Sequence, residues 1–168
     1  MADVTNVQIG VAELTFGGVN LGHTKGGVTV SYEPEYHDLT VDKYGNTVID
    51  KILIGEKLSV TAPLAEYTID NLAIAIPNST KAGTDKRVTI GSLCGKKSSE
   101  HALELVVHPV NIPGRDYDVV LYKAVVEESV ELPHNFDEEK IMEITFTALI
   151  DEGKADGNYL GLIGDSAA

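Results

Sequence analysis

Apolar residues recur at every second position through most of this chain, which is the period of a half-buried β-strand. Val28, Val30 and Tyr32 alternate with Thr29 and Ser31, and Leu58, Val60 and Ala62 alternate with Lys57, Ser59 and Thr61. Between them the segment Thr47 to Ile54 reads as a returning strand. From Lys140 to Ile150, Met142, Ile144, Phe146, Ala148 and Ile150 share one face, while Glu143, Thr145 and Thr147 share the other. Residues 6–22 read as a hairpin in which Val7, Ile9, Val11, Leu14 and Phe16 turn at Gly17-Gly18 and return with Val19 and Leu21. Further strands are expected at 87–90 and at 103–107, the latter stopped by Pro109. From Tyr117 to Val126 both faces are apolar, so that strand is expected to be covered on both sides.

One stretch changes period. Pro63 suits the first turn of a helix and Pro77 cannot continue one. Between them Ala65, Ile69, Leu72, Ala73 and Ile76 form one stripe at helical spacing, expected to lie on the sheet. Tyr67 and Ile74 fall on the opposite face; they are either incidental exposed residues or a contact with a neighbouring subunit. Eight to ten strands with one good helix predict a mostly β fold, an antiparallel β-sandwich or barrel with one flanking α-helix. A chain of 168 residues is expected to form one domain, 1–168.

The segment Glu33 to Asn46 is long for a hairpin connection, whose loops typically have about 2–5 residues. It carries Tyr36, Leu39, Val41 and Tyr44, which predicts a long projecting hairpin loop, 35–46, that docks on a neighbouring copy. Gly55-Glu56 reads as a second, two-residue turn. The Gly-rich, acidic tail, 151–168, reads as a C-terminal arm or loose end.

Charge sharpens this picture. Thirteen Lys and Arg against 26 Asp and Glu leave a net charge of −13. Such a chain does not adhere to a polyphosphate, which requires patches of cations. The balance fits simple solubility, or a surface that touches nucleic acid without holding it. The single cysteine, Cys94, demands no oxidising compartment, and Met1 to Asn6 lack the basic and apolar regions of a signal peptide. Folding in a cytoplasm is the expectation.

The run Ser31-Tyr32-Glu33-Pro34-Glu35-Tyr36-His37-Asp38-Leu39-Thr40-Val41-Asp42 is followed by Tyr44-Gly45-Asn46-Thr47 and then by Pro63-Leu64-Ala65-Glu66-Tyr67-Thr68. Together these resemble the major tail tube proteins of tailed bacteriophages, and the order strand, loop, strand, helix extends the likeness over most of the chain. The resemblance implies a structural virion protein, made in the host cytoplasm, whose rings stack into a hollow tail tube for genome ejection. It implies as partners the chain itself, other tail proteins at the tube ends, and DNA that passes through without specific binding; it implies no membrane and no cofactor. Inter-subunit contacts are then expected at Tyr36, Leu39, Val41, Tyr44, Tyr67 and Ile74. The polar strand faces, with Glu127, Glu131, Glu143 and Thr145, are candidates for the lumen.

Candidate chemistry adds only near misses. Gly91-Ser92-Leu93-Cys94-Gly95-Lys96-Lys97-Ser98 echoes a phosphate-binding loop but is one spacer short and has Lys97 where Ser or Thr must hold magnesium. His23, His37, His101, His108 and His134 form no i, i+4 metal pair, Cys94 has no partner cysteine, and no positioned base marks it as a nucleophile. Asp137-Glu138-Glu139 and Glu127-Glu128 read as solvated acids, and Asn78-Ser79-Thr80 as a chance sequon. Neither catalytic nor metal residues are expected. The competing functional class is a monomeric β-sandwich binding or adhesion module, whose loops would cluster aromatic residues at one end; here there is no Trp and the tyrosines are dispersed.

Overall fold

The structure, a computed structural model, describes residues 10–81, 83–84, 86–92 and 94–167. Eight strands are β1 (Ala12–Phe16), β2 (Val19–Asn20), β3 (Thr29–Thr40), β4 (Val48–Leu64), β5 (Leu103–Pro109), β6 (Val119–Val126), β7 (Met142–Ala148) and β8 (Gly161–Ile163). They form one antiparallel sheet in the order β2-β1-β5-β6-β7-β4-β3, with β8 paired to β6. Among the described residues one α-helix, α1 (Ile69–Ala75), flanks it. The fold is mostly β and sandwich-like, as the alternation predicts.

One face of the sheet makes the core. Leu14 and Phe16, Leu105 and Val107, Leu121 and Val126, Ile144 and Phe146, and Val60 and Leu64 belong to a single buried cluster. On β7 Met142, Ile144, Phe146 and Ala148 are all buried, as the alternation predicts, whereas Ile150, expected on the same face, lies beyond the strand and is exposed, and Thr147 of the expected polar face is buried. On β6, Val120 and Val125 are also buried but lie outside that cluster, so this strand is covered on both sides. The β1–β2 turn is made by Gly17 and Gly18, both at positive φ, the conformation a two-residue hairpin needs and glycine adopts without strain. Residues 6–9 of the expected hairpin lie outside the described residues.

Several expected boundaries move. β3 continues to Thr40, so the first half of the expected loop 35–46 is strand, and a short 3₁₀ turn, Asp42–Tyr44, with its flanks joins β3 to β4. Gly55-Glu56 is not a turn but the middle of β4. The pairing skips one residue there, Glu35 opposite Gly55 and Tyr36 opposite Leu53, so a bulge at Ile54 absorbs the irregularity. Pro63 belongs to β4, opposite Glu143 and beyond the last β3 pair at Thr61, where its missing N–H leaves no β3 bond unmade. The expected strand 87–90 is reduced to a bridge between Thr80 and Thr89.

The helix starts at Ile69, where the Thr68 side chain accepts from Asn71 N at 3.1 Å. Its buried residues are Asn71 and Ala75; Leu72 and Ile76 of the expected stripe pack on the core as predicted, joined by Ile74, while Ile69 and Ala73 lie outside that cluster, so the buried face is rotated from the expected one. Asn71 is the reason for the rotation: its amide Nδ2 donates to Leu21 O at 3.0 Å and to Glu66 O at 2.9 Å. A buried amide is tolerated only where its hydrogen bonds are made, and here both carbonyls supply them.

The tail also departs from expectation, because it returns to the sheet. Tyr122 N donates to Leu160 O at 3.2 Å and Gly164 N to Asp118 O at 2.8 Å. Lys123 pairs with Asp151 at 2.9 Å, and Tyr122 donates its hydroxyl to Asn158 Oδ1 at 2.9 Å. A Cβ on Gly161 would collide with the carbonyl oxygen of Val120, so glycine permits this close approach.

Candidate interaction surface

The sheet does not end where the core ends. β4 pairs with β7 only from Ser59 to Leu64, whereas its pairing with β3 runs on to Val48 opposite Thr40. The far part of β3 and β4 is thus a two-stranded ribbon. Every residue from 40 to 54 is exposed. Yet the ribbon is rich in large apolar side chains: Tyr36 is 51 % exposed, Ile52 50 % and Ile54 60 %.

Local contacts brace the two strands of the ribbon, whose pairing shifts register between Glu35 and Tyr36 and again between Leu39 and Thr40. Lys51 Nζ lies 2.8 Å from Asp38 Oδ1 across the strands, and Tyr32 donates its hydroxyl to Glu56 at 2.6 Å. That hydrogen bond to a carboxylate raises the Tyr32 pKa above its ordinary value. At the tip Tyr44 N donates to Val41 O at 3.0 Å, Gly45 takes φ 61°, and the Lys43 ammonium sits 5.4 Å from the Tyr44 ring centroid. β3 is the last strand on its side of the sheet, so its outer edge has no strand partner among the described residues. An isolated two-stranded hairpin is marginal in water, and a long exposed edge is a template for another strand.

Four of the expected contact residues come together here. Tyr36 and Leu39 lie on β3, and Val41 and Tyr44 flank and form the tip. The other two do not join them. Ile74 packs against the core cluster, and Tyr67 precedes the helix with its ring against His134, centroids 6.4 Å apart, and Lys140 Nζ at 5.3 Å. Both have partners within the chain: Ile74 because the buried face of the helix is rotated from the one its spacing predicts, Tyr67 because it lies ahead of the helix, beside His134 and Lys140. Val48, Ile49, Ile52, Leu53 and Ile54 are exposed ribbon residues that the strand reading misses. Their signal is visible: Ile52-Leu53-Ile54 is apolar without alternation, which fits a strand exposing apolar side chains to both sides.

The lumen candidates separate too. Glu143 and Thr145 share the polar face of β7, and Thr145 Oγ1 lies 3.2 Å from Thr61 Oγ1 on β4. Glu127 and Glu131 lie beyond the end of β6 in irregular backbone, and Glu127 lines a cavity beside the C-terminal end of α1.

A second polar cluster closes the β5–β6 connection. Asp118 is buried, His108 Nδ1 lies 2.6 Å from its Oδ1, and Arg115 Nε lies 3.5 Å from its Oδ2. An Asp–His pair is half of a nucleophile-activating arrangement. Among the described residues no serine, threonine or cysteine hydrogen-bonds to His108, so the pair ties β5 to the start of β6. The Gly91–Ser98 segment runs into a 3₁₀ turn, Ser98–His101, not into the α-helix a phosphate loop opens. Cys94 is exposed. Among the described residues there is no group of three or more His, Cys, Asp or Glu side chains that could hold a metal, and no helix is long and apolar enough to cross a membrane. Compared with known proteins, the chain matches no family model and no curated sequence.

Proposed function

We propose that this chain is a structural protein that polymerises with itself, closing into rings that stack as the hollow tail tube of a bacteriophage. One observation carries the reading: the β3–β4 ribbon runs on beyond its last pair with β7, with Tyr36, Ile52 and Ile54 exposed and, among the described residues, no strand on the outer edge of β3. Burying one such side chain stabilises a contact by roughly 1.5–3 kcal/mol. Ordering the backbone costs about 1–2 kcal/mol per residue, so the ribbon gains most when a neighbour covers it. The polar face of β7, with Glu143 and Thr145, is the side offered to the lumen, and a net charge of −13 keeps DNA from sticking in transit. The virion tail is then the place of the protein, with other tail proteins at the ends of the tube.

The test is the state of the purified chain. Negative-stain electron microscopy and sedimentation velocity across concentration are expected to show rings or tubes with a central channel. A single monomer species at high concentration would overturn the reading in favour of a monomeric binding module.

A further inference from the structure

Nearly every cation of this acidic chain is engaged. Lys25, Lys51, Lys57, Lys81, Arg115 and Lys123 pair with carboxylates, Lys43, Lys140 and Lys154 sit over aromatic rings, and Arg87 also has a partner. Lys86, Lys96 and Lys97 are exposed and have no ion-pair or ring partner among the described residues. All three lie in the excursion between α1 and β5. Residues 78–101 hold five cations against two acids, Asp85 and Glu100, a net of +3 in a chain of −13. The same excursion carries apolar surface. Ile90, 73 % exposed, joins Ala75, Ile76, Pro77 and Val130 around a cavity of about 550 Å³ that Lys96 also lines, together with Glu127 and with Glu128, whose charge is met by Lys57 at 3.8 Å.

The ribbon has the complementary character. Residues 33–56 hold six acids against Lys43 and Lys51, and Glu33, Glu35, Asp42 and Asp50 are exposed without a cation partner among the described residues. Apolar side chains stand between them. Within one chain no hydrogen bond or ion pair among the described residues joins the ribbon to the excursion.

Building on the self-assembly reading, we propose that the α1–β5 excursion is the receptor for the β3–β4 ribbon of a second copy. Apolar ribbon side chains enter the groove beside Ile90, and Lys86, Lys96 and Lys97 meet the ribbon's carboxylates. Donor and receptor are different surfaces, so the contact is head-to-tail and repeats from copy to copy, as ring closure or stacking requires. A nucleic acid is the weaker occupant: three lysines neutralise few phosphates, and the rest of the chain repels a polyanion.

Two charge-reversed full-length variants test this. One carries Lys86→Glu, Lys96→Glu and Lys97→Glu; the other carries Glu35→Lys, Asp42→Lys and Asp50→Lys. Each is expected to keep the circular dichroism of the unmodified chain, because every altered side chain is exposed. Each alone is expected to raise the concentration needed for assembly roughly tenfold or more, since reversal replaces attraction with repulsion. Mixed in equal amounts they are expected to assemble again, the ribbon of each fitting the receptor of the other. If the unmodified chain assembles and the lysine variant assembles equally well, the receptor is elsewhere while the self-assembly reading stands. Failure of the mixture to recover, or tight binding of a labelled 30-base-pair duplex that the lysine reversal abolishes, also overturns the proposal. If the unmodified chain does not associate, both readings fall.

Discussion

Phe16 on β1 and Phe146 on β7 touch, with ring centroids 5.1 Å apart, although β5 and β6 lie between their strands in the sheet. Three strand spacings of about 4.8 Å would hold their backbones ~14 Å apart in a flat sheet. The sheet therefore curls over its own apolar face, and the two rings close that curl. Phe146→Ala is expected to lower stability by about 3–5 kcal/mol, because a fully buried aromatic is removed from a close-packed site. Denaturant unfolding of the two proteins measures it, and a loss below 1 kcal/mol would mean the curl does not depend on this contact.

Asn71 is a second anchor. Asn71→Ala leaves the carbonyls of Leu21 and Glu66 without their amide donor, one of them in a buried contact. The expected cost is about 1–3 kcal/mol, the usual penalty for an unsatisfied buried polar group. Thermal melting reads it directly. Asn71→Leu, which restores apolar bulk but not the hydrogen bonds, is not expected to recover the loss.

The ribbon makes a prediction that separates folding from assembly. Shortening the hairpin so that Pro34 connects to Glu56 through an Asn-Gly turn removes only exposed or half-buried residues. The monomer should melt within about 0.5 kcal/mol of the intact protein, as surface changes usually do. Polymerisation should be abolished. In hydrogen exchange, outward amides of β3 should exchange fast in the monomer and slowly in the polymer. Slow exchange in the monomer would mean that the ribbon is already covered by its own chain.

The C-terminal segment should respond to acid. The hydrogen bond from Lys123 lowers the Asp151 pKa below its ordinary value of 3.8, with the Gly153 amide adding to it. A depressed carboxylate stabilises the fold above the ordinary value and loses that contribution as pH falls through its folded value. The pairing of 151–164 with β6 is therefore expected to weaken first below pH 3.8, while β7 stays protected. Residue-resolved exchange between neutral and acid pH checks the order. Gly161→Ala should loosen the same segment at neutral pH, since the added methyl meets the Val120 carbonyl.

Much of this fold is written in the order of residues. The alternation of Met142, Ile144, Phe146 and Ala148 set the core face of β7, and the double-sided apolarity of β6 announced a strand buried from both sides. The exposed character of Tyr36, Val41 and Tyr44 follows from a segment too polar to bury and too apolar to be merely solvated. Other features needed the chain in three dimensions. Whether 35–46 is loop or strand depends on a partner, and β4 supplies one by running straight through Gly55 with a bulge at Ile54, which a local turn signal cannot foresee. The face that α1 buries was decided by Asn71, because a polar residue reads as exposed until two carbonyls are placed beside it. The tail joined the sheet because the lower half of β6 lacked a partner on the side where β7 pairs only with its upper half. That Lys86, Lys96 and Lys97 are the cations without an ion-pair or ring partner among the described residues likewise emerges only once the others have found their neighbours. Periodicity fixes which side of a strand turns inward; long-range pairing and the satisfaction of buried polar groups decide where each strand ends and what it meets.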